Sequence, residues 1–375
     1  MIKDYLNNLL LKIKKLFKNP LFIIPPEVAH TLTIFTLKTN ILDENIELPK
    51  ILNTKFFNNI VRTPLGLAAG FDKNAEVIKP MLSLGFGFTE VGTVTKKPQC
   101  GNKRPRIFRL TEDEAVINSL GFNNKGVNYL IKQIDTKEVN SCVFGINIGR
   151  NSSAKDQISD YVDLIKTIYG FSDYITLNIS SPNTPNLRDL HNKEQLSNLL
   201  QAVISTRKSI DYAQSIPIML KISPDIDQET KENIAELVLQ YKIDGLIISN
   251  TTIGCRDNLQ GLNKKGGLSG KPLFKLSTQV LSDMYKLTKG KVLLIGCGGI
   301  SSGMDAYEKI KSGASLVQLY TAIVYHGFKV INKINLELAE LLERDGLSSV
   351  SQAVGCIHNF QQESNEPNIN SKRVD

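Results

Sequence analysis

Eight short apolar runs punctuate residues 61–345, and each is close to unbroken in hydrophobicity. They are 64–70 (PLGLAAG), 86–94 (FGFTEVGTV), 142–149 (CVFGINIG), 174–180 (YITLNIS), 216–223 (IPIMLKIS), 245–250 (GLIISN), 292–299 (VLLIGCGG) and 316–321 (LVQLYT). A strand that shows one face to water alternates apolar and polar residues, whereas a run apolar throughout must be covered on both faces. Helix-like stretches such as 155–169, 193–210, 226–241, 273–288 and 302–312 lie between most of the runs. Parallel strands need such crossovers, and eight strand–helix units close on themselves as a (β/α)8 TIM barrel of the α/β class. No G-x-G-x-x-G follows the first run, which argues against a doubly wound dinucleotide fold.

Three stretches fall outside this rhythm. The connection 95–141 is too long for a simple loop. Its apolar stretches Ile107–Leu110 and Ala115–Leu120 are expected to form a hairpin over one barrel end. Residues 1–60 read as helical. On a helix over 6–18, Leu6, Leu9, Leu10, Ile13, Leu16 and Phe17 share one arc, and Lys12, Lys14, Lys15 and Lys18 share the other. A second helix starts after Pro25-Pro26, with Val28, Leu32 and Phe35 at i, i+4, i+7 spacing. These helices either cap the main domain or touch a lipid surface. Residues 361–375 are polar and are expected to be disordered. The chain thus divides into an N-terminal segment 1–60, a barrel 61–345 and a tail 346–375.

Net charge is +8, and residues 1–20 carry five lysines against Asp4, so about half of the excess sits at the N-terminus. A basic balance fits nucleic acid, an anionic membrane surface or an anionic ligand. The five cysteines, at 100, 142, 255, 297 and 356, are widely spaced, which argues against a disulfide framework or a zinc site and favours a reducing compartment. No apolar run approaches the roughly 20 residues of a membrane helix, and no secretory signal is evident.

Active sites of such barrels sit at the C-terminal ends of the strands. The first run ends in Ala69-Gly70, followed by Phe71, Asp72 and Lys73, and the second in Gly92-Thr93. The third ends in Asn147, and the fourth in Asn178 and then Ser180 to Thr184. The fifth carries Lys221, and the sixth ends in Ser249, Asn250, Thr251 and Thr252. The last two end in Gly298-Gly299 and Tyr320-Thr321. Amides and hydroxyls dominate, with two lysines and no carboxylate beyond Asp72. That suits a neutral or anionic planar heterocycle and not a divalent metal. The glycine clusters 266–270 and 296–299 expose backbone N–H groups where barrels often hold phosphate.

The segments LGLAAGFDK (65–73), GTVT (92–95), INSLGFNN (117–124), GINIGRN (145–151), NISSPNTP (178–185), SNTT (249–252), GGLSGKP (266–272), GCGGI (296–300) and GASLVQLYT (313–321) together resemble the dihydroorotate dehydrogenase family. The motifs recur in order from about 60 to 325. PEVAH (26–30) resembles the region before the barrel in the family's quinone-dependent class.

The resemblance implies an FMN enzyme that oxidises dihydroorotate to orotate for pyrimidine biosynthesis and passes electrons to a membrane quinone. Ser181 takes the position of the general base, where soluble-class relatives carry cysteine, with a relay through Thr184 or a water. Lys73, Asn118, Ser119, Leu120, Gly121, Phe122, Asn178, Asn183, Asn250 and Thr251 fall on substrate positions. Ala69, Gly70, Phe71, Asp72, Lys73, Thr93, Asn147, Asn178, Lys221 and Ser249 fall on flavin positions, with the phosphate on Gly270, Gly299, Tyr320 and Thr321. His30, Arg109 and Tyr320 match the polar groups of a quinone tunnel built by the N-terminal helices. The enzyme is then expected at a lipid bilayer surface as a peripheral protein without a transmembrane helix, on the cytoplasmic side of a bacterial-type inner membrane. Neither nucleic acid, a metal nor an obligatory protein partner is expected. Cys297 departs from the small aliphatic usual at its position, and is expected to be harmless packing. Rival readings are a soluble-class dehydrogenase that reduces fumarate or NAD, an FMN barrel acting on tRNA uridines, and a non-catalytic FMN or phosphate-binding barrel. Ser181 and the N-terminal extension disfavour the first, the absence of an RNA-binding domain the second, and the presence of both Ser181 and Lys73 the third.

Overall fold

A computed structural model of the chain describes residues 22–39, 46–134, 142–212, 215–256, 259 and 264–358. The amphipathic pattern over 6–18 and the polar stretch 361–375 lie outside the described residues. Among the described residues thirteen strands run in chain order: β1 (Thr54–Phe56), β2 (Asn59–Val61), β3 (Leu65–Leu67), β4 (Phe88–Val94), β5 (Ile107–Leu110), β6 (Ala115–Asn118), β7 (Phe144–Ile148), β8 (Tyr174–Asn178), β9 (Ile218–Ile222), β10 (Gly245–Ile248), β11 (Gly267–Gly270), β12 (Leu293–Cys297) and β13 (Leu316–Leu319). Eight of them, β3, β4, β7, β8, β9, β10, β12 and β13, close into a parallel barrel. Each of the eight apolar runs holds one barrel strand, and nearly all their residues are buried, as two-faced covering demands.

The N-terminal end of the barrel is filled by a few large rings beside bare glycines. A Cβ on Gly66 would lie 2.4 Å from the Phe88 ring, and one on Gly145 would lie 2.2 Å from Tyr174. The antiparallel β1–β2 hairpin presses Phe56 onto both rings, at centroid distances of 4.9 and 5.0 Å. Small residues facing large ones let the layer interdigitate without voids. The apolar plug at this pole leaves polar chemistry to the other.

The expected hairpin exists as β5–β6, and β11 adds to it in the order β11-β6-β5. The glycine cluster 266–270 is therefore partly a strand, with Gly270 opposite Ala115. A helix, α1 (Pro26–Lys38), follows the two prolines. Two ion pairs hold its start, Glu27 to Arg106 and to Arg104, both at 2.8 Å, and Lys38 pairs with Glu76 at 2.6 Å at its end. Ala29 and Leu37 are its buried residues, while Val28, Leu32 and Phe35 are exposed. The i, i+4, i+7 stripe that marks the helix in the sequence thus faces away from the barrel.

Packing runs past the expected boundary at 345. A short helix, Val350–Ala353, buries both terminal side chains in the main core. The Gly355 N–H donates to the Ile310 carbonyl at 3.0 Å. Val350→Ala should then destabilise the barrel by about 1–3 kcal/mol, the range for trimming a buried aliphatic side chain. Urea unfolding checks this, and an unchanged midpoint would place the 350–353 helix outside the cooperative core.

Candidate active site

The C-terminal ends of the barrel strands open into a cavity of about 400 Å³ that continues beneath α1. One carboxylate organises its floor. Glu90, on β4, is fully buried and accepts from Asn147 Nδ2 (2.8 Å), Tyr174 OH (3.3 Å), Thr176 Oγ1 (3.2 Å) and Gln318 Nε2 (3.1 Å). Lys221 Nζ lies 3.8 Å from it. The expectation of no carboxylate beyond Asp72 is corrected here. A lone acid inside the run FTEVGTV was the only available signal, and apolar patterning hides it.

Above Glu90 the network climbs to the mouth. Thr93 Oγ1 donates to Asn147 Oδ1 at 2.6 Å, and Asn178 Nδ2 donates to Thr93 Oγ1 at 2.9 Å. Asn178 Oδ1 accepts from Ser180 Oγ at 3.0 Å and from Asn250 Nδ2 at 3.3 Å. Across the cavity, Asn183 Nδ2 donates to the Asn118 carbonyl at 3.0 Å. Ser181 is buried at the wall, and its Oγ accepts from Asn183 N–H at 3.3 Å. Asn118, Leu120, Gly121, Phe122, Asn178, Ser181, Asn183, Lys221, Ser249, Asn250 and Thr251 all line this one space. The arrangement offers donors and acceptors around a flat ring, with cations on two sides.

Lys73 reaches the cavity from the β3 loop, and its Nζ donates to the Gly70 carbonyl at 2.6 Å. Burial pulls its pKa down to about 8, with Asp72 opposing that shift. Gly70 adopts φ +104°, which only glycine takes without strain, and so brings bare backbone to the cavity edge. Asp72 itself does not line the cavity. Its carboxylate accepts from the N–H groups of Asn74 (3.2 Å), Glu76 (2.9 Å) and Val77 (2.7 Å), so it shapes the loop that carries Lys73. Burial pushes its pKa up, against those three bonds.

The α1 end of the cavity is mostly apolar. His30 Nε2 lies 2.8 Å from the Phe71 carbonyl, and burial drops the imidazole pKa to about 3, helped by Lys73. Phe71 stands edge-on to both His30 and Tyr320, at 5.3 and 5.5 Å. Burial pushes the Tyr320 hydroxyl up to about 12. Arg109 Nη1 donates to the Ile24 carbonyl at 3.1 Å and its guanidinium covers the Phe22 ring at 4.8 Å. Among the described residues its buried Nε has no partner.

A second corner is built from backbone. Gly298 and Gly299 adopt φ +113° and +77°, and a Cβ on Gly299 would lie 2.5 Å from Phe274. Gly270, Tyr320 and Thr321 complete the rim, with Thr321 Oγ1 donating to Ser269 Oγ at 2.9 Å. Among the described residues no acceptor meets the N–H groups of Gly298, Gly299 or Tyr320. Unpaired N–H groups converging beside a helix start form a ready anion cradle.

Four expected positions stand back from the cavity surface. Asn147 orients Thr93 from behind, and Asp72 shapes its loop. Ser119 donates its N–H to the Arg106 carbonyl at 2.8 Å. Thr184 is buried, its hydroxyl has no partner among the described residues, and no direct hydrogen bond joins it to Ser181. Cys297 is buried in the inner barrel cluster and reaches the cavity wall. Sequence reasoning also missed Thr33 and Phe328 in the α1 wall, which carry no motif, and Ala29, which lies within PEVAH but was not singled out.

The comparisons bear on this geometry. The family model for dihydroorotate dehydrogenase matches residues 51–342. The chain is 45% identical over 368 residues to the mitochondrial dihydroorotate dehydrogenase (quinone) of Oryza sativa subsp. japonica, covering 90% of this chain and 78% of that protein. It is 48% identical over 333 residues to the dihydroorotate dehydrogenase (quinone) of Parvibaculum lavamentivorans, covering 88% and 94%. A crystal structure of ligand-free DHODH from Eimeria tenella superposes with a TM-score of 0.86 at 37% identity, covering 89% of this chain and all of that one. With its barrel, its amide-lined mouth and its helical approach, the chain belongs to the dihydroorotate dehydrogenase family, in the quinone-dependent class.

Proposed function

We propose that this chain oxidises dihydroorotate to orotate and delivers the two electrons, by way of FMN, to a lipid-soluble quinone. The observation that carries the reading is the single cavity, amide-lined at the barrel mouth and apolar under α1, which serves two substrates of opposite polarity. The flavin ring fits against Ala69, Gly70, Thr93, Lys221 and Ser249, and its phosphate fits the unpaired N–H groups of the glycine corner. Bound there, FMN supplies a two-electron acceptor that a quinone can reoxidise.

Ser181 removes the C5 proton of dihydroorotate as the C6 hydride leaves, so that the ring loses two hydrogens and gains a double bond. A free serine is a weak base, so the proton must move on. The buried, unpartnered Thr184 hydroxyl gives the relay a group with spare hydrogen-bonding capacity. Asn118, Asn183, Asn250 and Thr251 hold the pyrimidine flat, and Lys73 holds its carboxylate. Lys221 offsets negative charge that accumulates beside it on reduction. At the α1 end His30 is neutral at physiological pH, so it can position a quinone by hydrogen bonding but carries no proton as imidazolium.

Ile23, Val28, Leu32 and Phe35 expose large apolar surface around the cavity's α1 end, and Phe35 is 67% accessible. Among the described residues no helix is long and apolar enough to cross a membrane. With the lysines of 1–20, this surface suits peripheral attachment to an anionic bilayer, the cytoplasmic side of a bacterial-type inner membrane, from which a quinone can enter directly.

Three outcomes test the reading. Ser181→Ala should retain flavin yet slow flavin reduction by dihydroorotate about 10²–10⁴-fold. Stopped-flow absorbance decides it, and near wild-type reduction would remove Ser181 from the base role. Orotate binding should weaken as pH rises through about 8, because the depressed Lys73 pKa means its charge is present below that value and lost above it. Lys73→Ala should weaken binding about 10–100-fold and flatten that pH step, read by titrating the flavin absorbance. Finally, the double change Leu32→Asp, Phe35→Asp should leave dihydroorotate reduction of the flavin intact and cut binding to anionic vesicles about tenfold or more. Full vesicle binding and full turnover with a long-chain quinone would show that α1 is only a cap.

A further inference from the structure

Lys309 is a fully buried lysine that does not line the cavity. It projects from the helix Gly303–Lys311. Its ammonium donates to Ser277 Oγ at 2.8 Å and to Thr278 Oγ1 at 3.0 Å, and lies 5.0 Å from the Phe274 ring. Among the described residues it makes no ion pair. All three contacts belong to the first turn and a half of the helix Phe274–Leu287. That end of a helix is already electropositive, so a second positive charge there is unfavourable on its own. A buried ammonium without a counter-ion loses hydration that its hydrogen bonds replace only in part. Burial accordingly pulls the Lys309 pKa down to about 7.

What lies on the other side of this turn explains the arrangement. Ser277 Oγ is 3.1 Å from the Gly298 carbonyl, and a Cβ on Gly298 would sit 3.0 Å from the same hydroxyl. Gly299 packs so closely on Phe274 that a Cβ would lie 2.6 Å from its backbone nitrogen. The helix start and the Gly298–Gly299 turn are thus one packed unit. Lys309 backs that unit, and the unpaired N–H groups of Gly298 and Gly299 front it. A dianion on the front would supply the missing counter-charge to the ammonium behind.

We infer that Lys309 is a positioning residue for the cofactor's phosphate, acting as a buried counter-charge through Ser277 and the Gly298–Gly299 turn without touching the phosphate. This rests on the reading that FMN binds with its phosphate in the glycine corner. The role is selective. It favours the phosphorylated flavin over riboflavin, which has the same ring and ribityl chain but no charge at that end.

Flavin-free full-length protein, titrated with FMN and with riboflavin by quenching of flavin fluorescence, separates the possibilities. Wild type should bind FMN far more tightly than riboflavin. Lys309→Met should weaken FMN at least about tenfold, as loss of a cation near a dianion at the effective dielectric of protein sites implies, and leave riboflavin unchanged within error. Lys309→Arg should recover part of the loss. Equal weakening of both flavins would mean a merely structural tie, and no weakening of either would mean no role; either result overturns the inference. Ser277→Ala keeps the charge and removes its link to the turn, and stands in where Lys309→Met fails to fold. An FMN-selective loss there supports the inference, and an equal or absent loss overturns it. If wild type itself binds riboflavin as tightly as FMN, the phosphate reading of the corner fails first, an outcome distinct from normal FMN preference that survives Lys309→Met.

Discussion

A carboxylate with no access to water sits in the middle of this barrel, and the arrangement above it follows from how its charge is met. Four donors from three strands converge on Glu90, and the Lys221 ammonium stands 3.8 Å away on a fourth. A buried charge left unpaired would cost several kcal/mol, so each donor is held in one orientation. Asn147 spends its N–H on Glu90 and must offer its oxygen upward. Thr93 and Asn178 then have only one way to pair, and Asn178 presents its own oxygen to Ser180 and Asn250. Buried networks of this kind narrow the geometry, here with only the Gln318 oxygen left without a partner among the network atoms named. The flat, rigid face at the barrel mouth is the top of a hydrogen-bond column that starts at Glu90.

The same column separates two solvents. Below Glu90 the plug of Phe56, Phe88 and Tyr174 is dry. Above it the cavity divides between an amide-lined mouth and the aromatic slot of Phe71, Tyr320 and Phe328 under α1. The β5–β6–β11 sheet and α1 roof both parts, and the Glu27 to Arg106 and Arg104 pairs lock one to the other. Arg106 is itself buried, so its pairing with Glu27 meets a charge that the roof could not otherwise carry.

The barrel was legible because burial on both faces leaves a local mark: each strand is an apolar run, whatever its partners. The cavity-lining groups of the candidate site were legible for a related reason, since they cluster at strand ends and fall within short motifs. What escaped depends on partners distant in the chain. Glu90 looks like an interruption in an apolar run until Asn147, Thr176, Lys221 and Gln318 are brought to it. Residues 267–270 read only as a glycine cluster with bare N–H groups, yet they form a strand by pairing with β6 far earlier in the chain. The stripe Val28, Leu32, Phe35 has correct helical spacing, but spacing alone does not say which face meets the barrel. Residues 348–353 (SSVSQA) are too polar to announce a helix, and only the core supplies the site that receives Val350 and Ala353.

Lys73 shows how the fold keeps a cation available to an incoming anion. Two carboxylates stand near it in sequence, and either could have neutralised it. Asp72 is occupied by three backbone N–H groups of its own loop. Glu76 is taken by Lys38, Lys125 and Tyr129, and those bonds hold its pKa down at about 2 against burial. Lys73 is left with the Gly70 carbonyl as its hydrogen-bond acceptor, which carries no full charge. Its burial therefore stays incompletely offset, as the pKa near 8 records. An anionic ligand that reached it would restore the missing partner, so part of the cost of keeping an ammonium in the cavity would be returned as affinity, as the proposed contact with a substrate carboxylate requires.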